Sequence, residues 1–205
     1  MDAAPTHRQP GALPGSPLLG LGIALAMLSD AVLAADPDLA ATAYVARLAT
    51  VNAWHDIPTD PGATEFADAY VAIAAVSQTM RRYRGGDLSS FREAQVGFNF
   101  GHQSHWEFNV AAGPRWHRFP WNDFIATTAA FGLGLSYASE VPEVEVALEK
   151  TSERLLIYWM MELTLGPPAA RWQISLRLHH RSTGFGLFAD EGGMNALGAG
   201  LRIEF

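Results

Sequence analysis

The chain has 205 residues, of which 49% are apolar and only 17% are charged, against about 25% charged in ordinary soluble domains. The formal net charge is −7, and there is no cysteine. This composition is too apolar for a disordered chain and too acidic for a protein that binds nucleic acid through bulk charge. The lack of cysteine excludes a disulfide framework and a cysteine-ligated metal. A chain so poor in charge is either a soluble protein with a thin charged shell, or it turns part of its surface toward something other than water.

The first 34 residues predict a cleavable export signal. Arg8 precedes an apolar stretch from Leu18 to Leu28, and Val32-Leu33-Ala34 supplies the small or branched side chains of a cleavage site. About a dozen apolar residues are too few to span a bilayer, which takes about 20. We therefore predict a signal peptide over 1–34 and an exported domain over 35–205, a buried N-terminal helix being the alternative.

The exported part contains no second long apolar run, since the densest, Leu155 to Met161, has only a strand's length. It therefore predicts no transmembrane helix. Two classes remain, a soluble periplasmic or secreted domain, such as a β-sandwich, and an outer-membrane β-barrel. In such a barrel, strands of about ten residues alternate between a lipid-facing and a lumen-facing side.

The predicted elements begin with two weak segments, 42–54 and 66–80, which are Ala-rich and alternate poorly. Each could be a strand or an amphipathic helix. Alternation of period two is clear in the six segments that follow: 93–101, 105–112, 124–138, 153–165, 171–182 and 194–205. Counting the weak segments as strands gives eight, the smallest common number for a closed barrel.

Strand length favours the barrel over the sandwich, because soluble strands average only about 5–6 residues. The Pro-containing turn over 166–170 is typical of a short periplasmic connection, whereas 139–152 and 183–193 have the length and polarity of extracellular loops. A final strand that ends on Phe205 is typical of outer-membrane barrels. We predict an all-β, eight-stranded, antiparallel up-and-down barrel in the bacterial outer membrane. Its Glu-rich loop near 140–153 is expected to be solvated, and Arg177, Arg202, Glu162 and Glu107 are expected to pair inside.

Two polar residues extend the lipid-facing stripe of the seventh predicted strand. His180 and Ser182 are two apart, so their side chains point the same way. Asn195, at the start of the next strand, is expected beside them. A serine becomes nucleophilic when a base takes its proton, and the base needs a partner that fixes its tautomer. The alternative is that His180 and Ser182 only mark the aqueous interface.

The run His179-His180-Arg181-Ser182-Thr183-Gly184, followed by a Gly-containing loop and a last strand with a terminal aromatic, resembles the PagL-type lipid A 3-O-deacylases over about 178–205. The resemblance implies an eight-stranded barrel with a Ser-His-Glu triad on its outer surface. It also implies hydrolysis of the ester-linked 3-position acyl chain of lipid A. Two positions depart from that family, since Thr183 stands where it usually has Asn and Asn195 where it has Glu.

On this interpretation Ser182 is the nucleophile and His180 the base, oriented by Asn195 or by Glu191 in the preceding loop. Thr183 and the backbone near Gly184 and Gly186 would hold the oxyanion. No metal or cofactor is required, and the expected partners are lipid A and outer-membrane lipid, not nucleic acid. The alternative function is a non-catalytic small barrel with a structural or adhesive role.

Overall fold

We analysed a computed structural model of the chain. It describes residues 38–50, 54–59, 62 and 64–205, with only the backbone of Asp56 and Pro58. The predicted signal peptide over 1–34 lies outside the described residues. Among the described residues, no helix has the length and hydropathy to cross a membrane.

The described part of the chain forms a closed barrel of eight antiparallel strands, each paired with its neighbours in sequence, and β8 paired with β1. The prediction of an eight-stranded up-and-down barrel is therefore confirmed. The strands are β1 (Leu39–Ala49), β2 (Phe66–Tyr83), β3 (Leu88–Gly101), β4 (His105–Trp116), β5 (Ala126–Ala138), β6 (Leu155–Gly166), β7 (Trp172–Ser182) and β8 (Gly193–Glu204). The connections of the described part of the chain contain two short α-helices, α1 (Asp56–Thr59) and α2 (Glu143–Glu149), and a 3₁₀ turn over Arg84–Gly86.

We call the end at which β1 begins and β8 finishes the lower end, and the opposite end the upper end. Connections at the lower end span 84–87, 117–125 and 167–171, and those at the upper end span 50–65, 102–104, 139–154 and 183–192. A path that follows paired residues once around the barrel leaves β1 at Leu39 and returns to it at Ala49, ten residues further along. This stagger tilts the strands and closes a narrow lumen.

The outward faces of the strands are apolar and exposed, as a lipid-facing belt requires. Exposed large apolar side chains occur on the outer faces of all four strands from β4 to β7 and on β8. Examples are Phe108, Val110, Phe131, Leu133, Leu163, Ile174, Leu176 and Leu197. The scarcity of charge in the composition therefore reflects alternate strand positions that carry no charge.

One side of the upper lumen is also apolar, which explains why the first two strands alternate poorly in the sequence. The buried cluster joins β1, β2 and β8 with Val144 of α2, a helix that closes the upper end of the lumen. Its members are Tyr44, Ala46, Leu48, Ala69, Val71, Ile73, Val144, Met194 and Ala196. The strand predicted over 42–54 runs instead from Leu39 to Ala49, because pairing with β8 starts at Ala40.

The rest of the lumen is filled by a buried ionic network, the environment that an interior charge needs. Arg177 contacts Glu93 at 2.6 Å and Glu162 at 2.8 Å, and Arg115 also pairs with Glu162. Of the four predicted interior partners, Arg177 and Glu162 pair as expected. Glu107 instead contacts His179 at 2.8 Å.

The Glu-rich upper connection is not wholly solvated as predicted. Glu145 of α2 is fully buried and contacts Arg181 of β7 at 2.6 Å. The helix places this carboxylate over the lumen, where an arginine from the barrel wall compensates its charge. The sequence prediction was wrong for Glu145 because its partner lies 36 positions away.

Candidate functional site on the outer wall

The predicted catalytic residues lie at the upper end of β7, on the outer face of the barrel. The buried, lumen-facing side of this strand carries Gln173, Ser175, Arg177, His179 and Arg181. His180 and Ser182 occupy the opposite side with the apolar belt residues Ile174 and Leu176, and both are half-buried. The alternation of side chains along β7 thus places His180 and Ser182 on the outer face, and their position near the end of the strand places them at the upper end of the barrel.

Asn195 of β8 faces His180 directly. The two residues are cross-strand partners, and His180 Nδ1 lies 2.7 Å from Asn195 Oδ1. An amide oxygen only accepts hydrogen bonds, so this contact assigns the proton to Nδ1 and leaves the Nε2 lone pair available as a base.

Aromatic side chains support the His180 ring. Trp159 of β6 is its other cross-strand partner, with ring centroids 4.4 Å apart and planes inclined by 35°. Trp54 contacts Trp159 edge-on at 5.3 Å. Nearby, Ile57 of α1 packs in a cluster with Leu178, so this short helix covers part of the outer wall beside His180.

The Ser182 hydroxyl accepts a hydrogen bond from the Gly184 backbone N–H at 3.2 Å. Within the part of the chain that the structure describes, no direct hydrogen bond joins Ser182 to His180. Residues two apart on a strand have Cα atoms about 6.6 Å apart on one face. A rotation about the serine χ1 angle, between rotamers that strands commonly populate, therefore turns Oγ toward the ring.

A cavity of about 130 Å³ opens beside this pair. His180, Ser182 and Asn195 line it together with the backbone of Gly192 and Gly193 and with α2 residues. The complete lining is Ala49, Leu148, Glu149, His180, Arg181, Ser182, Gly192, Gly193, Met194 and Asn195. Among the described lining residues, Glu149 is the only one with a carboxylate side chain.

The connection after β7 forms a tight left-handed turn. Gly184, Phe185 and Gly186 have φ values of 66°, 60° and 83°, a region that costs glycine little and a bulky residue more. The turn leaves the Phe185 side chain fully exposed and Leu187 76% exposed. Thr183, a predicted oxyanion residue, accepts the Phe188 N–H at its carbonyl at 3.0 Å.

The structure brings only one of the two predicted orienting residues to His180. Asn195 contacts the ring, whereas Glu191 is exposed in the connection between β7 and β8 and does not line the cavity. The roles assigned to Thr183, Gly184 and Gly186 stay predictions. No group of three His, Cys, Asp or Glu side chains within the described residues is arranged to hold a metal ion.

Sequence reasoning missed three residues around the site. Trp159 was assigned only to the apolar face, Trp54 lay in an ambiguous segment, and Glu149 was counted as part of a solvated loop. The alternation of β6 places Trp159 on the outer wall, so its height relative to His180 could have been predicted from the hairpin register. Trp54 and Glu149 reach the site through long connections, for which the sequence offers no local signal.

No protein-family model matches the chain, and no curated protein matches it by sequence. Among solved structures, the outer membrane enzyme PagL is similar, with a TM-score of 0.60 and 13% identity over 81% of this chain and 99% of PagL. A designed transmembrane β-barrel has a TM-score of 0.49 with 9% identity, over 83% of this chain and 98% of the design. Neisserial surface protein A has a TM-score of 0.48 with 9% identity, over 83% of this chain and 98% of that protein. At 13% identity the likeness to PagL shows a shared fold and nothing finer.

Proposed function

We propose that this protein is an outer-membrane serine esterase that removes an ester-linked acyl chain, the 3-O-acyl chain, from lipid A. The observation that carries the proposal is the outward-facing His180–Asn195 hydrogen bond, with Ser182 two residues further along the same face. In this assignment the upper end of the barrel faces the cell exterior. The site then lies at the height of the outer leaflet, where lipid A resides.

The orientation of the dyad supports a lipid substrate. A serine and histidine that acted on a soluble molecule would be expected in the lumen or on a loop, yet these two extend the apolar belt. Trp159 and the exposed Phe185 and Leu187 add apolar surface around the cavity. The acyl chain of a membrane lipid lies against such a surface without leaving the bilayer.

The proposed reaction uses only side chains of this chain. His180 Nε2 takes the Ser182 hydroxyl proton as Oγ attacks the ester carbonyl carbon, and the carbonyl oxygen becomes an oxyanion. The carbon–oxygen bond to the sugar breaks, and the leaving alkoxide takes the proton from Nε2. Water, deprotonated by His180, then hydrolyses the acyl-Ser182 ester, and the products are a fatty acid and the free serine.

In a Ser-His-Glu triad a single carboxylate both orients the histidine and stabilises its charged form. Here Asn195 has the first of these roles and Glu149 the second. Asn195 fixes the tautomer and the ring orientation, but a neutral amide does little for the imidazolium that forms. The Glu149 carboxylate lines the same cavity and supplies negative charge at that stage. Glu191, which is exposed and outside the cavity, takes no part.

One observation favours the second candidate function, a non-catalytic barrel with a structural or adhesive role. The Ser182 hydroxyl accepts a hydrogen bond from the Gly184 backbone N–H and does not contact His180, so Ser182 stabilises the turn. In a purely structural barrel this contact would be the whole role of Ser182, which is to begin the turn between β7 and β8.

The test is deacylation of purified lipid A by the full chain refolded in detergent, followed by mass spectrometry. The proposal expects loss of one 3-hydroxyacyl unit, abolished in Ser182→Ala and in His180→Ala. His102→Ala, which removes an exposed histidine at the same end of the barrel, serves as the matched control and should keep full activity. Unchanged lipid A with folded wild-type protein across several detergents and pH values would favour the non-catalytic barrel.

A further inference from the structure

A second cavity lies at the opposite end of the molecule and is unrelated to the outer wall. It has a volume of about 210 Å³ and opens at the lower end of the lumen. Three arginines, Arg82, Arg115 and Arg202, line it, together with the carboxylates of Asp38 and Glu204. This cavity is far larger than one water molecule, whose share of liquid volume is about 30 Å³.

Three neighbouring buried polar atoms have no hydrogen-bond partner among the described residues, and two of them belong to residues that line this cavity. They are Thr42 Oγ1, Arg202 Nε and Gln173 Oε1, on residues that are 2%, 5% and 8% exposed. They form one row across three strands, because Arg202 pairs with Thr42 on one side and with Gln173 on the other. Buried polar groups are nearly always satisfied, so a row of three indicates something that binds between them.

The buried charges of the lower lumen do not balance. Three described arginines, Arg115, Arg177 and Arg202, share the two buried carboxylates Glu93 and Glu162, and salt bridges to these carboxylates come from Arg177 and Arg115. Among the described carboxylates Arg202 reaches only Glu204, at 3.4 Å, and that side chain is 47% exposed at the rim. The other contact of Arg202 is neutral, a hydrogen bond that it donates to the Ser77 hydroxyl at 3.0 Å. Arg202 is thus the poorly compensated cation, and a buried charge in that situation is costly.

From the row of unpartnered atoms and the poorly compensated Arg202, we propose that this lower cavity binds a small oxyanion of the phosphate type. Arg202 Nε donates to it, and the Gln173 side chain presents its NH₂ group after a flip of the amide, which exchanges the oxygen and the nitrogen without changing the outline of the side chain. Guanidinium groups suit a multi-oxygen anion better than a chloride ion, because they donate in a fork. Asp38 does not repel the ligand strongly, since Arg82 holds it at 3.2 Å.

Two sources offer this chemistry, free phosphate and the phosphomonoester headgroup of a lipid on the periplasmic side. The proposal does not depend on esterase activity, and the two can fail separately. The test titrates the full chain, refolded in non-ionic detergent and phosphate-free buffer, with inorganic phosphate and with dihexanoyl phosphatidic acid. Isothermal calorimetry gives the Kd, and dihexanoyl phosphatidylcholine controls for binding through the acyl chains.

Saturable binding of either phosphate compound with a Kd below about 1 mM is the expected result. Binding of inorganic phosphate indicates the free ion, and binding of phosphatidic acid alone indicates the lipid headgroup. Arg202→Gln should weaken binding at least about tenfold, and Arg202→Lys should weaken it less. Arg92→Gln, which removes an exposed arginine from the outer face of β3, should leave the Kd unchanged.

The proposal is overturned if the folded wild-type chain binds neither compound saturably with a Kd below about 1 mM. It is also overturned if Arg202→Gln binds as tightly as wild type, because the site would then lie elsewhere. Should Arg202→Gln fail to fold, as judged by its heat-dependent mobility in electrophoresis, Gln173→Leu replaces it. That variant removes one ligand of the row without changing any charge, and an unaltered Kd would count equally against the site.

Discussion

The hydrogen bond between Asn195 and His180 places the proton on Nδ1 of the histidine ring and leaves Nε2 as the basic nitrogen. Asn195→Leu removes this acceptor, so we expect kcat/KM for lipid A deacylation to fall by roughly 10²-fold or more, as when a triad loses its orienting partner. Asn195→Glu retains an acceptor and adds charge, and it should match or exceed the wild-type rate. Initial rates with both variants check this, and wild-type activity in Asn195→Leu would show that the contact has no positioning role.

Substitution of two glutamates near the site is expected to affect the deacylation rate differently. Glu149→Gln removes the carboxylate that lines the cavity, so kcat should fall by about tenfold while KM changes little, because only the charged intermediate loses stabilisation. Glu191→Gln alters an exposed side chain outside the cavity and should leave both constants unchanged. The comparison is made with the same lipid A assay. A larger effect of Glu191→Gln than of Glu149→Gln would show that Glu191 is the carboxylate that stabilises the charged His180.

At the scale of elements, the lower connection over 117–125 carries a histidine that responds to pH. Burial, and next to it the charges of Arg115 and Arg82, lower the pKa of His117 to about 4, and its Nε2 lies 2.8 Å from Ser89 Oγ. In the unfolded chain the same group titrates near 6.5. The unfolded state therefore binds the proton first, and the contribution of His117 to stability is present above about pH 6.5 and is lost as pH falls toward 4.

This effect is measured by urea unfolding in lipid vesicles, with the urea midpoint determined at a series of pH values from about 7.5 to about 4. The midpoint of the wild-type chain should drop over this window by more than that of His117→Gln, which cannot titrate. Equal drops in the two proteins would show that other groups account for the acid sensitivity.

Most strands could be predicted because each carries its own signal. The alternation of β7 assigns His180 to the outer wall and His179 to the lumen from the sequence alone, and the structure agrees. β1 and β2 were ambiguous for a physical reason, since Tyr44 and Ile73 face an apolar part of the lumen and remove the polar half of the pattern. Their assignment as strands rested on closure of the barrel.

At the scale of the whole molecule, contacts that link distant parts of the chain were beyond prediction. The pairing of Glu145 with Arg181, and that of Trp54 with Trp159, bring together residues from separate connections and strands. Neither residue of such a pair shows a pattern that names its partner. The barrel itself was predictable because the apolar belt and the strand length recur in strand after strand. The lining of each cavity has no such repeat, because it depends on how individual connections fold onto the wall.

The central claim is that Ser182 on the outer wall acts as a nucleophile activated by His180. Its most direct test is labelling of the refolded chain with a long-chain alkyl fluorophosphonate, followed by peptide mass spectrometry. We expect a single stoichiometric adduct on Ser182 that is lost in Ser182→Ala, strongly slowed in His180→Ala and retained in His102→Ala. A folded wild-type chain that stays unlabelled, or one labelled equally fast without His180, would contradict it.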